Sequence, residues 1–403
     1  MRAIFWISAL FITYTYAGYP LWLFLRGRKK GANLPFSVPA PSGTLPFVSV
    51  VIAARNEASH LPRKLKNLAD LNYPAPKYEI IVVSDGSTDS TNEWMQAQAG
   101  GNVRFLALPE HAGKAVALNH AIEAALGDIV VFTDARQPVH SEAVRNLVTN
   151  FEDPNVGCVS GELMLGHPGD DAPGSGLGFY WAMEKKVREW ESASGSVVGA
   201  TGALYAVRKE LLVKLPVGTV LDDVYLPLCV VRQGKRVLFE PRARVYDEVA
   251  KPRREFWRKT RTLTGIYQLL RLAPWLLTER TTIRFRFLAH KLFRLWVPFA
   301  LIALLLNSMF LPGSFYRYAL IVQILCYAAG FLALFPWKLG TAGRVADFSA
   351  SFILLNTAAV VALFWFLTNK KDVWQAGHKS QTVLEPTGEI PVELGEGTAS
   401  GSR

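Results

Sequence analysis

Cysteine is scarce in this chain: Cys158, Cys229 and Cys326 are the only three in 403 residues, and they are far apart. An odd number without metal-ligand spacing excludes a disulfide framework and a cysteine-built zinc site, and points to reduced, structural thiols. No glycine fingerprint of the dinucleotide or P-loop kind follows the first strand-like run, which makes NAD and ATP sites of those kinds poor fits. A secretory signal is also disfavoured as the reading of the N-terminus. The first apolar stretch, residues 3–25, is longer than the ~15 residues of a signal's apolar core. It has a weakly basic start and no small-residue cleavage site.

Apolar residues, by contrast, make up half of the chain, against 19% charged, with a net charge of +11. They gather at the two ends, leaving residues 45–260 with the composition of a globular domain. A membrane helix needs about 20 apolar residues. Residues 1–30 supply them and end in Arg26, Arg28, Lys29 and Lys30, which sets the following domain in the cytoplasm. Residues 31–45 read as a linker and 46–250 as the globular domain. Residues 251–291 mix Arg and Lys with Phe256, Trp257, Ile266, Tyr267, Leu270 and Trp275, the pattern of amphipathic helices at a bilayer interface. Within 292–368, three runs (292–311, 318–337 and 348–367) are each long enough to span. The tail, 369–403, has a disordered composition. Three spans after a cytoplasmic domain put that tail outside, against the preference of Lys370, Lys371 and Lys379 for the inside. The basic residues sit beside the apolar ends, which matches anionic lipid head groups or a diphosphate and not nucleic acid.

Within the globular part, residues 47–54, 79–84, 104–108 and 128–133 are apolar, β-branched runs separated by helical patterns. That alternation predicts a doubly wound α/β sheet. Three runs end in polar residues: Asn56 and Glu57, Asp85, and Asp134. Singly, each is an ordinary turn residue. Together they converge on the edge where open α/β sheets bind ligands. Further on, Asp222 and Asp223 precede a helical pattern (Val224, Leu228, Val231), and a helix cap is the plain reading of such a pair.

The stretches 48–57 (VSVVIAARNE), 80–91 (IIVVSDGSTDST), 113–121 (GKAVALNHA), 130–135 (VVFTDA), 199–208 (GATGALYAVR) and 221–226 (LDDVYL) follow one another in an order that resembles the family 2 glycosyltransferases, nucleotide-sugar enzymes with the GT-A fold. The flanking apolar runs resemble the membrane-bound branch, which includes cellulose, hyaluronan and poly-N-acetylglucosamine synthases. The resemblance implies a mixed, mainly parallel sheet and a role for each matched position. Asp85 would accept the imide N–H of uracil, and Asn56 and Glu57 would hold base and ribose. Lys114 would face the phosphates. Ala54 and Ala135 would line the nucleotide-sugar site. Asp134 would bind Mg²⁺ or Mn²⁺ on the diphosphate. Gly199, Thr201 and Gly202 would form the acceptor-side loop. Asp223 would be the general base, with Asp222 as the neighbouring charge that keeps it basic.

Two departures stand out. The second Asp of the family's Asp-X-Asp motif is Arg136, which cannot ligate a cation and can instead help neutralise the diphosphate. In the Gln-Gln/Arg-X-X-Arg-Trp motif of processive members only Arg258 matches. Trp257 falls one residue early, about 100° away on a helix. Glu162 takes no role from the resemblance. His167 is a candidate third metal ligand, and the aromatic helix from Phe179 to Trp190 either packs in the core or lines the acceptor entrance. The expectation is an inverting, UDP-sugar-dependent transferase acting on a lipid-linked or cell-envelope glycan at the cytoplasmic membrane face, with self-association left open. A processive synthase secreting its own polymer is the runner-up, and a degenerate nucleotide-binding membrane protein is the non-enzymatic alternative.

Overall fold

The computed structural model describes residues 1–29, 45–166, 176–248, 252–332 and 340–368. In chain order the helices are α1 (Arg2–Thr13), α2 (Tyr19–Lys29), α3 (Leu61–Ala69), α4 (Thr91–Gln98), α5 (Lys114–Ala124), α6 (Ala143–Thr149), α7 (Gly176–Ser194), α8 (Asp222–Arg232), α9 (Pro252–Leu272), α10 (Trp275–Thr278), α11 (Arg284–Phe287), α12 (Phe293–Phe310), α13 (Ser314–Leu332) and α14 (Gly340–Leu367). The strands are β1 (Val48–Ala54), β2 (Tyr78–Asp85), β3 (Val103–Leu108), β4 (Ile129–Thr133), β5 (Val156–Leu165), β6 (Leu204–Arg208) and β7 (Arg236–Asp247).

The strands form one seven-stranded sheet in the order β3-β2-β1-β4-β6-β5-β7. Every pairing is parallel except those of β6, which runs antiparallel to both β4 and β5. Helices cover both faces, so the parallel strands need apolar side chains on both sides and read as unbroken apolar runs. Alternate residues feed opposite layers. Val51, Ile81, Val83, Val130 and Phe132 pack towards α5 and α8. Val50, Ile52, Ile80, Val82 and Val131 pack towards α3, α4 and α6.

β7 was not expected from the sequence. Pro241 lacks an N–H and interrupts it, and arginines interleave its apolar positions. The chain absorbs this in a bulge: between the pairs Ser160↔Phe239 and Glu162↔Arg244, Gly161 of β5 stands against residues 240–243 of β7.

Three helical segments, Arg284–Phe310, Ser314–Leu332 and Val345–Leu367, are long and apolar enough to cross a membrane. The helical segment at residues 2–29 continues through a π-turn at Tyr14–Gly18 and packs beside α12. α9 does not lie apart from the globular layer. Ile266, Tyr267 and Leu269 are buried in its core cluster, and Trp257 stacks on Trp365 of α14, with centroids 5.4 Å apart and planes at 5°.

A buried polar network fastens these parts together. Glu191 of α7 accepts from Tyr19 Oη (2.5 Å) and lies 2.9 Å from His290 Nδ1, while His290 Nε2 lies 2.9 Å from Glu184. Arg286 donates to the carbonyls of Glu191 (2.6 Å) and Ser196 (2.9 Å), and Arg294 to Glu184 (2.8 Å). Trp190 packs beside Tyr19 and Leu23 in a small cluster, so this end of the aromatic helix meets the N-terminal segment and not the main core. The side chains of Phe179, Tyr180 and Trp181 lie outside the described residues.

Candidate active site

The strand ends build the first half of the site. Beyond β1, Asn56 adopts φ +54°, a left-handed conformation that asparagine tolerates better than most residues. Its Oδ1 accepts the Thr88 N–H at 2.8 Å. Its side chain is thus used to hold the turn after β2, and Asn56 is not among the cavity-lining residues, unlike Ala54, Glu57, Asp85, Lys114, Asp134 and Ala135. Glu57 is buried and receives Arg136 Nη2 at 2.8 Å and His60 Nδ1 at 2.8 Å.

Asp85 is buried at the end of β2. It accepts N–H groups from Ala112 (2.7 Å) and Gly113 (3.0 Å), and His111 Nδ1 lies 2.8 Å away. A carboxylate has about four lone-pair sites, so these three donors leave it room for one more. Gly86 makes this closure possible. A Cβ there would come within 2.3 Å of the His111 nitrogen, because the loop ahead of α5 crosses directly over it.

Lys114, the first residue of α5, reaches Asp134 Oδ1 at 3.1 Å and Asp222 Oδ1 at 3.5 Å. Burial works against its charge, but Asp134, Asp222 and Asp223 outweigh burial and raise its pKa above the ordinary lysine range. Lys64 was missed by the sequence reading. It is buried, donates to Thr133 Oγ1 (2.8 Å) and the Gln137 carbonyl (2.7 Å), and so braces the loop that carries Asp134. Burial pushes its pKa down to about 7, with Asp134 opposing.

The second half of the site is the start of α8. Asp222 is buried and accepts from Tyr205 Oη at 3.1 Å. Burial first, and then the charge of Asp222, push the pKa of Asp223 up to about 7; Lys114 opposes and Asp134 adds to the rise. The Asp223 carbonyl takes the Ala200 N–H at 2.7 Å. Gly202 faces the Asp223 carboxylate so closely that a Cβ would stand 2.9 Å from Oδ2, and a Cβ on Gly199 would stand 3.0 Å from Val224 Cγ2. Thr201 is held from behind: Arg188 Nη1 donates to Thr201 Oγ1 (2.8 Å), which donates to the Gly161 carbonyl (2.8 Å). Arg188 is a further residue the sequence reading missed, and one helical position among polar neighbours gave no signal for it.

Arg258 lines the same cavity but is engaged by Glu255 (2.7 Å) and, more distantly, by Asp247 (3.5 Å). His167 lies outside the described residues. Among the described residues no group of three His, Cys, Asp or Glu side chains is placed to hold a metal. Asp134 offers a hard oxygen to the cavity, with 38% of its side chain exposed. That suits a cation which takes one protein carboxylate and completes its shell with phosphate oxygens and water.

One cavity of about 2250 Å³ joins the two halves. Its lining runs from Asp85 and Asp134 past Asp223 to Ile12 and Tyr16 near the N-terminus, Val322 and Tyr327 of α13, and Phe352 and Ala359 of α14.

Comparison with known proteins fits this geometry. A β-monoglucosyldiacylglycerol synthase from Nostoc sp. is 35% identical over 121 residues, covering 29% of this chain and 26% of that protein. A poly-β-1,6-N-acetyl-D-glucosamine synthase from Staphylococcus aureus is 25% identical over 229 residues, 55% of each chain. This chain therefore spans roughly a quarter to a half of the length of these curated relatives. The structure of a mannosyltransferase from Pyrobaculum calidifontis, solved with GDP-Man and Mn²⁺, superposes with a TM-score of 0.67 at 22% identity, over 91% of this chain and 99% of that one, and so shares the fold. Residues 49–215 match the family described as Glycosyl transferase family 2, and this chain carries a glycosyltransferase domain of that family.

Proposed function

We propose that this protein is an inverting glycosyltransferase. It takes a sugar from a nucleoside diphosphate donor, UDP-linked in the first instance, and passes it to a hydroxyl of a lipid-linked glycan at the cytoplasmic membrane face. The observation that carries this reading is the single cavity shared by Asp85, Asp134, Asp223 and helices apolar enough to cross a membrane. A soluble acceptor gives no reason for a reaction cavity to run on between such helices, whereas an amphiphile has its reacting head and its hydrocarbon chain in these two places.

In the reaction, the acceptor oxygen attacks the anomeric carbon on the face opposite the diphosphate. The bond from that carbon to the diphosphate oxygen breaks and its electron pair leaves with the nucleotide. The hydroxyl proton passes to Asp223, whose raised pKa of about 7 makes it a competent base near neutrality. A single displacement inverts the anomeric centre. Asp85 takes the last donor it has room for from the base, and Lys114 and Arg136 meet the diphosphate. Asp134, with the donor's phosphate oxygens, would hold Mg²⁺ or Mn²⁺, which supplies neutralisation of charge on the departing diphosphate. Lys259 follows Arg258 where processive members carry a tryptophan, and this departure supports single transfer over polymer growth.

The test is a donor screen on the purified protein in lipid nanodiscs, with UDP-Glc, UDP-GlcNAc, UDP-Gal, UDP-GlcA and GDP-Man and a cell-envelope lipid extract as acceptor. Released nucleotide and product length are read together. Lipid products one or two sugars longer are expected. A ladder of products favours the processive synthase, and the absence of turnover with every donor overturns the reading.

A further inference from the structure

Glu79 and Glu240 are buried carboxylates with partners on both oxygens. Glu79 takes Ser49, Arg104 and the Leu126 N–H. Glu240 takes Arg242 and Asn150. Glu162 is different. It is 7% exposed and pairs through Oε1 with Lys185 Nζ at 2.7 Å, while its Oε2 is buried with no hydrogen-bond partner. The other carboxylate oxygen in that state among the described residues, Glu255 Oε1, has Lys259 Nζ 3.6 Å away. Leaving a buried carboxylate oxygen unbonded is costly, and Glu162 and Lys185 both line the reaction cavity.

The place of Glu162 narrows what could complete it. It sits on β5, and the strands β1, β4 and β6 separate it from the β2 that ends in Asp85. Its neighbour Gly161 accepts from Thr201 (2.8 Å), and the adjacent Gly202 abuts the Asp223 carboxylate. This is the sugar end of the cavity and not the nucleotide end. The adjacent ammonium makes the pair a poor cation ligand, and a carboxylate oxygen accepts and does not donate. A hydroxyl group is the partner that fits, with Lys185 able to donate to a neighbouring oxygen.

We propose that Glu162, paired with Lys185, receives a hydroxyl of the sugar being transferred and so helps to decide which donor is used. This rests on the glycosyltransferase reading above. The test is calorimetric binding of the best donor from the screen, of its free nucleoside diphosphate, and of its mono-deoxy derivatives, to wild type, Glu162→Gln and Glu162→Ala, with melting temperatures as the check on folding. The variants should bind the donor about 10- to 100-fold more weakly and the free diphosphate with a clearly smaller loss. One deoxy derivative should already be weak with wild type and lose nothing more in the variants. Equal losses for donor and free diphosphate, the same further loss with every deoxy derivative, or no loss at all would overturn the proposal. If wild type binds no nucleoside diphosphate, the glycosyltransferase reading falls and this proposal falls with it.

Discussion

The two halves of the cavity are built in different ways. On the side proposed for the nucleotide, Asp85 and Asp134 stand where parallel strands end, and their partners come from neighbouring turns and helix starts: His111, Ala112 and Gly113 for one, Lys114 for the other. On the side proposed for the acceptor, the fixed contacts run between helices and loops, with no strand end to place them. Arg188 holds Thr201, Glu191 joins Tyr19 to His290, and Trp257 rests on Trp365. A motif at a strand end brings its geometry with it, because the sheet dictates where the strand stops. A wall assembled from helices has no such local rule, and its shape depends on a network of buried charges. We therefore expect variants in the two halves to fail differently.

The largest effect should come from Asp223→Asn. It should lower kcat about 10²- to 10⁴-fold while donor affinity stays close to wild type, as read by nucleotide release and calorimetry. Full activity in that variant would remove the base from the account. Metal removal comes next. EDTA should abolish most turnover and added Mg²⁺ or Mn²⁺ should restore it, whereas full activity in EDTA would assign the diphosphate charge to Lys114 and Arg136 alone. Gly202→Ala puts a Cβ 2.9 Å from Asp223 Oδ2 and should lower kcat up to about 100-fold through misplacement of the carboxylate. A variant losing donor affinity but not kcat would place Gly202 in the wrong half. Glu191→Ala breaks a buried charge network and should cost about 3–5 kcal/mol, seen as a lower melting temperature. If the loss fell instead on nucleotide affinity in folded protein, the two halves would not be separable.

The same contrast explains what the sequence made legible. The alternating sheet, the convergence of Asp85 and Asp134, and the charge pair at the start of α8 all follow from local patterns. β7 was hidden because Pro241 and its interleaved arginines break the apolar run, and only pairing with β5 makes a strand of it. Asn56 also braces a turn, through its left-handed backbone and its bond to Thr88, and no local pattern announces that role. Arg258 sits on the cavity as the motif implied, but Glu255, three residues earlier, engages it. Lys64 gave no warning at all, since a lysine on a helix ordinarily points to water and this one is inside. His290 lies 99 residues from Glu191, and no periodicity connects them.

The central claim is that Asp223 is the base and that burial beside Asp222 sets its working pH. The most direct measurement is the pH dependence of kcat/KM with the best donor. The reactive form is the carboxylate, so protonation must switch the enzyme off on the acid side. The rate should rise about tenfold per pH unit up to about pH 7 and then level, with that limb lost in Asp223→Asn. A rate independent of pH from about 5 to about 8, or an unchanged limb in the Asp223→Asn variant, would contradict it.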